Sequence, residues 1–317
     1  MNDRRELQPS LTTYTLMQGA ARRGHRIFLS DASDGMATAS GEIRVHALEL
    51  SPVLFENPQA LAKELALVNG NNLPMTDFDV WLLRMNPARD VDRGAVYQTV
   101  LDLAILAKQQ GVCVLNNPTR LRDAASKLYL HRFPAEFVPK TFVSNRPQAL
   151  LKYLQSCQQP VVIKPLQGTR GRDVFCLNSV DDPNTHQLID VVTRSGYAMV
   201  QDFVKDPRGG DLRVILVGGK ILQRNGQVCA LRRIPRPGDF RGNVHAGGSL
   251  ETTTLSAQEI KMLEAVGPIL AGDGMFLVAA DCLGGKLLEA NVFSPGGWAN
   301  AERVYGVDFN EAVLAAL

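Results

Sequence analysis

The chain has 317 residues, is 45% hydrophobic and 21% charged, and carries a formal net charge of +2 at pH 7. This length predicts about two domains or three small ones, and the small net charge provides no field that would attract nucleic acid. No apolar run approaches the roughly 20 residues of a membrane helix. From the polar start we expect no signal peptide, and five scattered cysteines indicate reduced thiols. We therefore expect a cytoplasmic enzyme without a membrane or nucleic-acid partner.

The first part of the chain alternates helical and strand patterns. Helical patterns cover residues 11–23, 58–68 and 94–110, and strand patterns cover 26–29, 43–48, 78–83 and 112–115. Such a βαβ rhythm predicts an α/β domain with a doubly wound parallel sheet and helices on both faces. Asn116-Asn117-Pro118 interrupts the rhythm, so we expect this N-terminal domain to cover residues 1–118.

The rest of the chain mixes hairpins with helices. Helical patterns cover residues 119–131, 147–155, 185–193 and 257–272, and strand patterns cover 160–165, 174–177 and 198–204. Gly218-Gly219 predicts a hairpin turn between strands at 212–217 and 220–231.

Two short apolar strands near the C-terminus carry oxygen-bearing side chains. Asp281 ends the first strand, Gly284-Gly285 forms the turn, and Glu289 and Asn291 lie on the second strand. Because side chains alternate faces along a strand, Glu289 and Asn291 point the same way and Asp281 can face them. Two carboxylates and an amide oxygen suit Mg²⁺, which commonly bridges to nucleotide phosphates. A surface hairpin with solvated acids has the same spacing, so this pattern alone leaves both interpretations open.

A second pattern concerns phosphate binding. The buried-strand pattern at 160–165 contains Lys164 near its end, and Gly168-Thr169-Arg170-Gly171 follows it. A lysine there can reach a phosphate as a point charge, and a glycine-rich loop lets backbone N–H groups close over phosphates. An ordinary turn with an exposed lysine fits these residues too. The nucleotide interpretation gains weight because the oxygen-rich hairpin follows about 120 residues later in the chain.

The stretch 232–248 shows no periodicity. It contains four arginines, two prolines and four glycines. Loops of this length are usually functional or disordered, and here the glycines indicate a mobile lid and the arginines an anion clamp. A basic RNA-binding patch is the alternative, although the interleaved aromatic residues of such patches are missing.

In these stretches the chain resembles the prokaryotic-type glutathione synthetases of the ATP-grasp superfamily, from about Leu11 onwards. The stretches that carry the resemblance are Asn117-Pro118-Thr119-Arg120-Leu121-Arg122-Asp123 with Lys127-Leu128, Ile163-Lys164-Pro165-Leu166-x-Gly168, Arg233-Ile234-Pro235 through Arg241-Gly242-Asn243 to Gly247-Gly248, and Glu289-x-Asn291-Val292-x-Ser294-Pro295. The resemblance implies an ATP-grasp fold with a central lid domain at 119–201 and a C-terminal catalytic domain at 202–317.

The resemblance also implies which residues bind the nucleotide and its metal. Phosphate contacts are expected from Lys127, Lys164 and a small lid running from Gly168 to Gly171. The remaining nucleotide-binding residues are expected to be Gln201, Asp202, Phe203 and Val204 around the adenine, and Asp211. Mg²⁺, with Mn²⁺ as an alternative metal, is expected on Asp281, Glu289 and Asn291.

The implied reaction joins γ-glutamylcysteine and glycine. The acid attacks the γ-phosphate of ATP, and the amine attacks the resulting acyl phosphate. The transferring phosphoryl group would be stabilised by Arg213, Arg233 and Arg241, and Ser294, Pro295 and Gly296 would lie near the acceptor. The family tends to form homo-oligomers. A related ligase with another acid or amine, or a nucleotide-binding regulatory protein without turnover, stays open as an alternative.

Three features depart from the family pattern. Only about ten polar residues precede Leu11, where the family begins with a strand and a substrate-binding loop, so we expect that strand to be absent or the chain to begin late. Arg84-Met85-Asn86-Pro87 stands where the family usually has Arg-Lys-Asp-Pro, and Phe293-Ser294-Pro295-Gly296-Gly297-Trp298 replaces a Thr-Ser-Pro-Thr stretch. We expect the last two changes near the acceptor pocket, where they bear on the peptide rather than on ATP.

Overall fold

A computed structural model describes residues 1–67, 69–168, 172–194, 196–242 and 247–317. In the N-terminal part, the helices are α1 (Thr12–Arg22), α2 (Pro58–Ala66) and α3 (Gly94–Gln109). The strands are β1 (Ile27–Leu29), β2 (Gly35–Ala37), β3 (Ile43–Leu50), β4 (Asn71–Pro74), β5 (Val80–Leu82) and β6 (Cys113–Leu115). The predicted elements are found with ends that differ by a few residues, whereas β2 and β4 were not predicted.

Strand directions in the N-terminal part differ from a uniformly parallel sheet. β5 and β6 pair parallel across the crossover helix α3, as the βαβ rhythm predicts. The strands β1 to β4 instead pair antiparallel in one sheet. For β2 and β3 the cause is connection length, because residues 38–42 between them are far fewer than the dozen or so that a parallel crossover needs.

The central part folds around its own sheet. Its elements are α4 (Pro118–Ala124), β7 (Thr141–Ser144), α5 (Pro147–Ser156), β8 (Val161–Pro165), β9 (Phe175–Leu177), α6 (Thr185–Thr193) and β10 (Ala198–Asp202). The strand order is β7-β10-β8-β9, with antiparallel pairing throughout. Apolar residues of α5 and α6 pack on this sheet as a separate core cluster.

The helix predicted at 119–131 is interrupted. α4 ends at Ala124, and a 3₁₀-helix (Lys127–Arg132) follows. Ser126 causes the break, because its hydroxyl accepts a hydrogen bond from the Leu128 N–H at 3.2 Å and so caps a new helical turn. The new turn begins at Lys127 and leaves this lysine next to the end of β8.

The C-terminal part contains the largest sheet of the described residues. Its elements are β11 (Asp211–Val217), β12 (Lys220–Ile221), β13 (Gln223–Arg224), β14 (Gln227–Val228), β15 (Ala230–Ile234), β16 (Ser249–Glu251), α7 (Ala257–Gly272), β17 (Leu277–Leu283), β18 (Lys286–Asn291), α8 (Trp298–Tyr305) and α9 (Phe309–Leu314). The strand order is β16-β15-β11-β17-β18. The long strand predicted at 220–231 is wrong, because Asn225 and Gly226 adopt positive φ and fold it into the β13–β14 hairpin.

The N-terminal part and the C-terminal sheet share one hydrophobic core cluster. Asn116, at the predicted boundary, is buried between them. Its Nδ2 donates to the carbonyls of Leu277 and Val292, and its Oδ1 accepts from the Leu277 N–H, each at 2.8 Å. The division into three domains at 118 and 201 stays a prediction. Within the described ranges, every helix is too short or too polar to cross a bilayer.

Candidate active site

One face of the C-terminal sheet carries a row of charged side chains across four strands. Arg233 on β15 lies opposite Asp211 on β11, and Arg213, two residues further along β11, lies opposite Asp281 on β17. Asp281 in turn lies opposite Glu289 on β18. Because residues two apart on a strand share a face, the register collects these side chains from distant parts of the sequence on one surface.

Asp281 lies at the centre of this row. Arg213 donates from Nε and Nη2 to its two carboxylate oxygens at 2.8 and 2.7 Å, and Arg233 Nη2 lies 3.0 Å from its Oδ2. Arg233 also pairs with Asp211. Burial alone would raise the pKa of Asp281, but the two guanidinium groups lower it to about 2. Asp281 is therefore ionised at neutral pH, and it orients both arginines.

The residues predicted to bind metal are brought together on β17 and β18. Asn291 Nδ2 donates to Asp281 Oδ2 at 3.1 Å. Burial lowers the pKa values of the nearby Lys127 and Lys164, and the Glu289 carboxylate partly offsets this effect. The described residues contain no group of three or more His, Cys, Asp and Glu side chains that could hold a metal. A cation here would thus depend on two carboxylates and one amide. This all-oxygen set fits a hard cation such as Mg²⁺.

A cavity of about 740 Å³, here called the lysine cavity, opens beside Glu289 and contains Lys127 and Lys164 in its wall. Lys164 Nζ donates to Gln201 Oε1 at 3.0 Å, and Lys127 Nζ donates to the Gly168 carbonyl at 3.2 Å. Burial lowers the pKa of both lysines, that of Lys164 to about 8. Both ammonium groups therefore rest on neutral oxygen atoms and keep their charge available to an anion.

The predicted adenine-binding stretch forms one side of the lysine cavity. Gln201 is buried, whereas Asp202, Phe203 and Val204 are partly exposed in the cavity wall. The N–H groups of Asp202 and Phe203 are used within the chain, by the Lys140 and Pro160 carbonyls at 3.0 Å each. The N–H of Val204 donates to no backbone carbonyl among the described residues, so it is the group available to a base.

The prediction that the four arginines of the stretch 232–248 form one anion clamp needs correction. Arg232 and Arg233 belong to β15, and their side chains lie on opposite faces. Arg233 faces Asp281, whereas Arg232 lies 3.7 Å from Asp206 and donates to the Gly209 carbonyl at 2.8 Å. The strand period thus separates neighbouring arginines. Only the second pair of arginines lies in the loop.

The loop itself runs from 235 to 248, and its residues 243–246 lie outside the described residues. Residues 169–171 of the small lid, which include Gly171, lie outside them as well. Arg241 donates to Asp239 from Nε at 3.0 Å and Nη2 at 2.8 Å, which holds the pKa of that carboxyl well below its usual range. The Phe240 ring meets the Phe203 ring edge-to-face with centroids 6.2 Å apart. At the loop's base, a Cβ on Gly242 would collide with the Asp211 carboxylate.

A second cavity, of about 660 Å³, borders the same row of charged side chains at Arg213, Arg233 and Glu289 and is called the arginine cavity. Its cations include Arg84, Arg89 and Arg213, and its wall also contains residues 10–13 and 294–297. The departures from the family pattern at 84–87 and 293–298 therefore border this cavity, although Met85 itself is buried in the core. Sequence reasoning missed the contribution of residues 10–13, because no local pattern links them to this site.

The two cavities meet at Arg233 and Glu289, which contribute to the walls of both. The site thus joins the lysine cavity, where Lys127 and Lys164 are held on neutral oxygen atoms, to the arginine cavity, which can hold an anionic partner. Between them, Arg213 and Arg233 are fixed on Asp281. Such an arrangement can bring a phosphate and a carboxylate together while cations neutralise the charge that develops.

Lys164 on β8 and Lys127 on the 3₁₀-helix border the lysine cavity opposite the charged row of the C-terminal sheet, and this arrangement is that of an ATP-grasp ligase. The ATP-grasp ligase PsnB, solved with a phosphomimetic variant of its minimal precursor, Mg and ADP, shares this fold with a TM-score of 0.61 and 16% identity over 98% of this chain and 96% of that chain. Family models of the prokaryotic glutathione synthetase match residues 1–122 as its N-terminal domain and residues 126–306 as its ATP-grasp domain. The chain therefore belongs to the prokaryotic glutathione synthetase family, whose members are ATP-dependent carbon–nitrogen ligases.

Curated relatives support the same family over nearly the whole chain. The glutathione synthetase of Nitrosomonas europaea is 32% identical over 96% of this chain and 92% of its own length. That of Shewanella oneidensis is 31% identical over the same shares of the two chains.

Proposed function

We propose that this protein joins γ-glutamylcysteine and glycine at the expense of ATP, through an acyl phosphate and with release of ADP and phosphate. The observation that carries the proposal is the meeting of the lysine and arginine cavities at Arg233 and Glu289. A nucleotide in the first cavity and an acid in the second would bring the γ-phosphate and the carboxylate to this junction. The names of the curated relatives support this choice of acid and amine.

In this proposal the lysine cavity binds ATP. Lys127 and Lys164 contact the phosphates, and the loop from Gly168 to Gly171 covers them. The adenine lies along Gln201, Asp202, Phe203 and Val204, where the Val204 N–H is available to it. Asp211 acts indirectly, because it pairs with Arg233 and so fixes that guanidinium at the phosphate end.

Mg²⁺ would be held by Asp281, Glu289 and Asn291, and Mn²⁺ would suit the same oxygen ligands. The metal supplies neutralisation of the nucleotide's phosphate charge when it is bound. PsnB was solved with Mg and ADP, which supports the choice of metal. Both carboxylates border the lysine cavity, but Asp281 is already paired with two arginines, whereas Glu289 has no arginine partner among the described residues.

The chain's own residues then act on charge and orientation. The acid's carboxylate oxygen attacks the γ-phosphorus, and the bond from that phosphorus to the β–γ bridging oxygen breaks to leave ADP. Arg213 and Arg233 stabilise the transferring group, and Asp281 already holds them in place at 2.7 and 3.0 Å. Arg241 approaches from the loop, which excludes water from the acyl phosphate. The amine of glycine attacks the acyl carbon, phosphate leaves, and the nitrogen loses a proton.

We also propose a cytoplasmic homo-oligomer with three domains, at 1–118, 119–201 and 202–317, that binds small molecules and neither nucleic acid nor membrane. The oligomer follows the tendency of the family. The location follows the composition of the chain, with its small net charge and scattered cysteines.

Phosphate release across a panel of acids and amines tests the proposed function. γ-Glutamylcysteine with glycine should give the highest kcat/KM, and omission of the amine should reduce phosphate release strongly. A faster reaction with another γ-glutamyl dipeptide or amino acid would identify a related ligase. Absence of phosphate release with every pair, despite ATP binding, would indicate a regulatory protein without turnover.

A further inference from the structure

Arg84 is a cation without a carboxylate partner among the described residues. Its Nε and Nη2 both donate to Thr13 Oγ1 at 3.2 Å, and its guanidinium lies 5.6 Å from the centre of the Trp298 ring. Its Nη1 is buried and has no hydrogen-bond partner in the described residues. Burial lowers the pKa of Arg84 to about 10, so it stays charged at neutral pH. A buried cationic donor without an acceptor is unfavourable unless a ligand supplies one.

The neighbouring cations of the arginine cavity already have partners. Arg213 pairs with Asp281 at 2.7 Å, and Arg89 pairs with Glu6 at 3.0 Å. Asn86, which stands at the Asp position of the family pattern, is neutral, and its side-chain oxygen accepts a backbone hydrogen bond at 3.1 Å. Arg5 pairs with Asp3 at 2.6 Å and Arg233 with Asp281 at 3.0 Å. Among the arginines that line the described part of this cavity, the guanidinium beside Thr13 is therefore the one without a carboxylate partner.

Two helix starts add to the positive potential at the same place. α1 begins after Leu11 and α8 after Gly297, and neither has a side-chain cap. The Gly297 N–H donates to Thr12 Oγ1 at 3.3 Å, so the two helix starts are in contact. Uncapped first turns leave backbone N–H groups and the positive end of the helix dipole available to an anion. The two helix starts add to the positive charge of Arg84, and Arg84 itself identifies where an anion would bind.

We propose that Arg84, together with the first turn of α1, binds a second carboxylate of the acid substrate, distinct from the carboxylate that is phosphorylated. This binding mode rests on the proposed function and deepens it, because it makes the acid a dicarboxylate. For γ-glutamylcysteine, the cysteine carboxylate lies at the junction of the cavities and the α-carboxylate of the glutamyl residue lies on Arg84. Planar guanidinium suits such a carboxylate through paired hydrogen bonds. Thr13 is a positioning residue for Arg84.

The experiment compares γ-glutamylcysteine with 4-aminobutyrylcysteine, which has the same skeleton without the glutamyl α-carboxylate. The parent protein should prefer γ-glutamylcysteine by roughly 10- to 100-fold in kcat/KM, the range of a charge-assisted hydrogen bond. Arg84→Gln should lower kcat/KM for γ-glutamylcysteine mainly through KM and leave the analogue nearly unchanged, so the preference falls to about threefold or less. Arg84→Lys keeps the charge and should retain part of the preference. KM for ATP should not change in either variant.

Arg89→Gln is the matched control, because Arg89 lines the same cavity but is already paired with Glu6. It should keep the parent's preference. Thr13→Ala removes the hydroxyl that orients the guanidinium and should lose part of the preference, which provides a second test if Arg84→Gln does not fold. Thermal unfolding identifies folded variants.

A folded Arg84→Gln protein, or a folded Thr13→Ala and Arg84→Lys pair, with the full preference of the parent would overturn the inference. If the parent turns over neither peptide with glycine, the proposed function fails instead. Binding of γ-glutamylcysteine to the parent and to Arg84→Gln, each loaded with a non-hydrolysable ATP analogue, then decides the role of Arg84. Weaker binding to the variant supports it, and equal affinities overturn it.

Discussion

The lysine cavity holds the ammonium groups of Lys127 and Lys164 on neutral oxygen atoms, whereas the arginine cavity holds most of its guanidinium groups on carboxylates. Lys164 rests on the Gln201 amide and Lys127 on the Gly168 carbonyl. In contrast, Arg213 and Arg89 are paired with acids. Neutral acceptors orient a cation without cancelling its charge, whereas carboxylates orient the cation and also neutralise its charge.

This difference matches the charges of the two ligands that we propose. A triphosphate needs several unneutralised cations, and the lysine cavity offers them around Glu289 and the proposed metal. A peptide acid needs little net charge beyond the reacting centre, and among the arginines that line the arginine cavity only Arg84 has no acidic partner within the described residues. The comparison therefore predicts that substitutions in one cavity should affect one substrate, whereas substitutions at the junction should affect both.

The largest effect is expected at the junction. Glu289→Gln keeps the shape of the side chain but removes a charge from the proposed metal site. Because a bound metal stabilises the transition state by several kcal/mol, turnover should fall by roughly 1,000-fold or more. The measurements are steady-state kinetics, in which ATP and γ-glutamylcysteine are each varied, and thermal unfolding. Glu264→Gln, at an exposed position of α7, is the control and should behave like the parent. Turnover of Glu289→Gln within a few-fold of the parent would remove Glu289 from the metal site.

A smaller effect confined to the lysine cavity is expected for Lys164→Ala. The ammonium group contacts phosphate in both ground and transition states, so KM for ATP should rise and kcat should fall together. The expected loss in kcat/KM for ATP is roughly 10- to 100-fold, with KM for γ-glutamylcysteine little changed. Lys152→Ala, exposed on α5, is the control. Unchanged kinetics for ATP would make Lys164 a structural residue, and an equal rise in both KM values would contradict the separation of the two cavities.

The two cavities also differ in how far the sequence predicts them. The elements around the lysine cavity follow local patterns: the β17–β18 hairpin turns at Gly284-Gly285, and Lys164 ends a run of apolar strand residues. Their register, and with it the Arg213–Asp281 pair, depends on strand pairing that no short pattern encodes.

The arginine cavity is assembled from long-range contacts. Arg84 meets Thr13 across 71 positions, and Gly297 meets Thr12 across 285. Periodicity within a segment has no information on such contacts, which explains why residues 10–13 were missed. The error at 220–231 had a different cause, since Asn225-Gly226 is itself a hairpin signal that the alternation of the segment concealed.

A third test concerns the loop that covers the lysine cavity. Arg236 and Arg241 now pair with Asp239 inside the loop, and Phe240 contacts Phe203. Trypsin should cut after Arg241 in the free protein, since Pro237 blocks cleavage after Arg236. Mg²⁺-ATP with the acid substrate should slow the cleavage after Arg241 by roughly tenfold as the loop closes.

Phe240→Ala, which removes the ring contact, should speed cleavage of the free protein and weaken the protection by ligand. Equal cleavage rates with and without ligand would make the segment an ordinary surface loop. A basic RNA-binding patch would then merit a binding assay at several salt concentrations.

The smallest effect, and the one most specific to lysines held on neutral oxygens, is the pH dependence of ATP affinity. Burial lowers the pKa of Lys164 from 10.5 to about 8 in the free protein. Phosphate favours the charged form, so above pH 8 binding of ATP must take up a proton, and affinity should fall by up to about tenfold per pH unit. Stability has the opposite sign. Between pH 8 and 10.5 the unfolded chain binds more protons at this lysine than the folded chain, so its contribution to stability rises with pH.

Titration calorimetry with ATP, and thermal unfolding without it, should therefore change in opposite directions over this window, which separates the effect from alkaline unfolding. In Lys164→Ala the part of both slopes due to Lys164 should disappear, and a weaker dependence from Lys127 should remain, because burial lowers its pKa too. If the parent and the variant lose ATP affinity equally between pH 8 and 10, protonation of Lys164 is not coupled to ATP binding. The charge difference between the two cavities must then come from other residues.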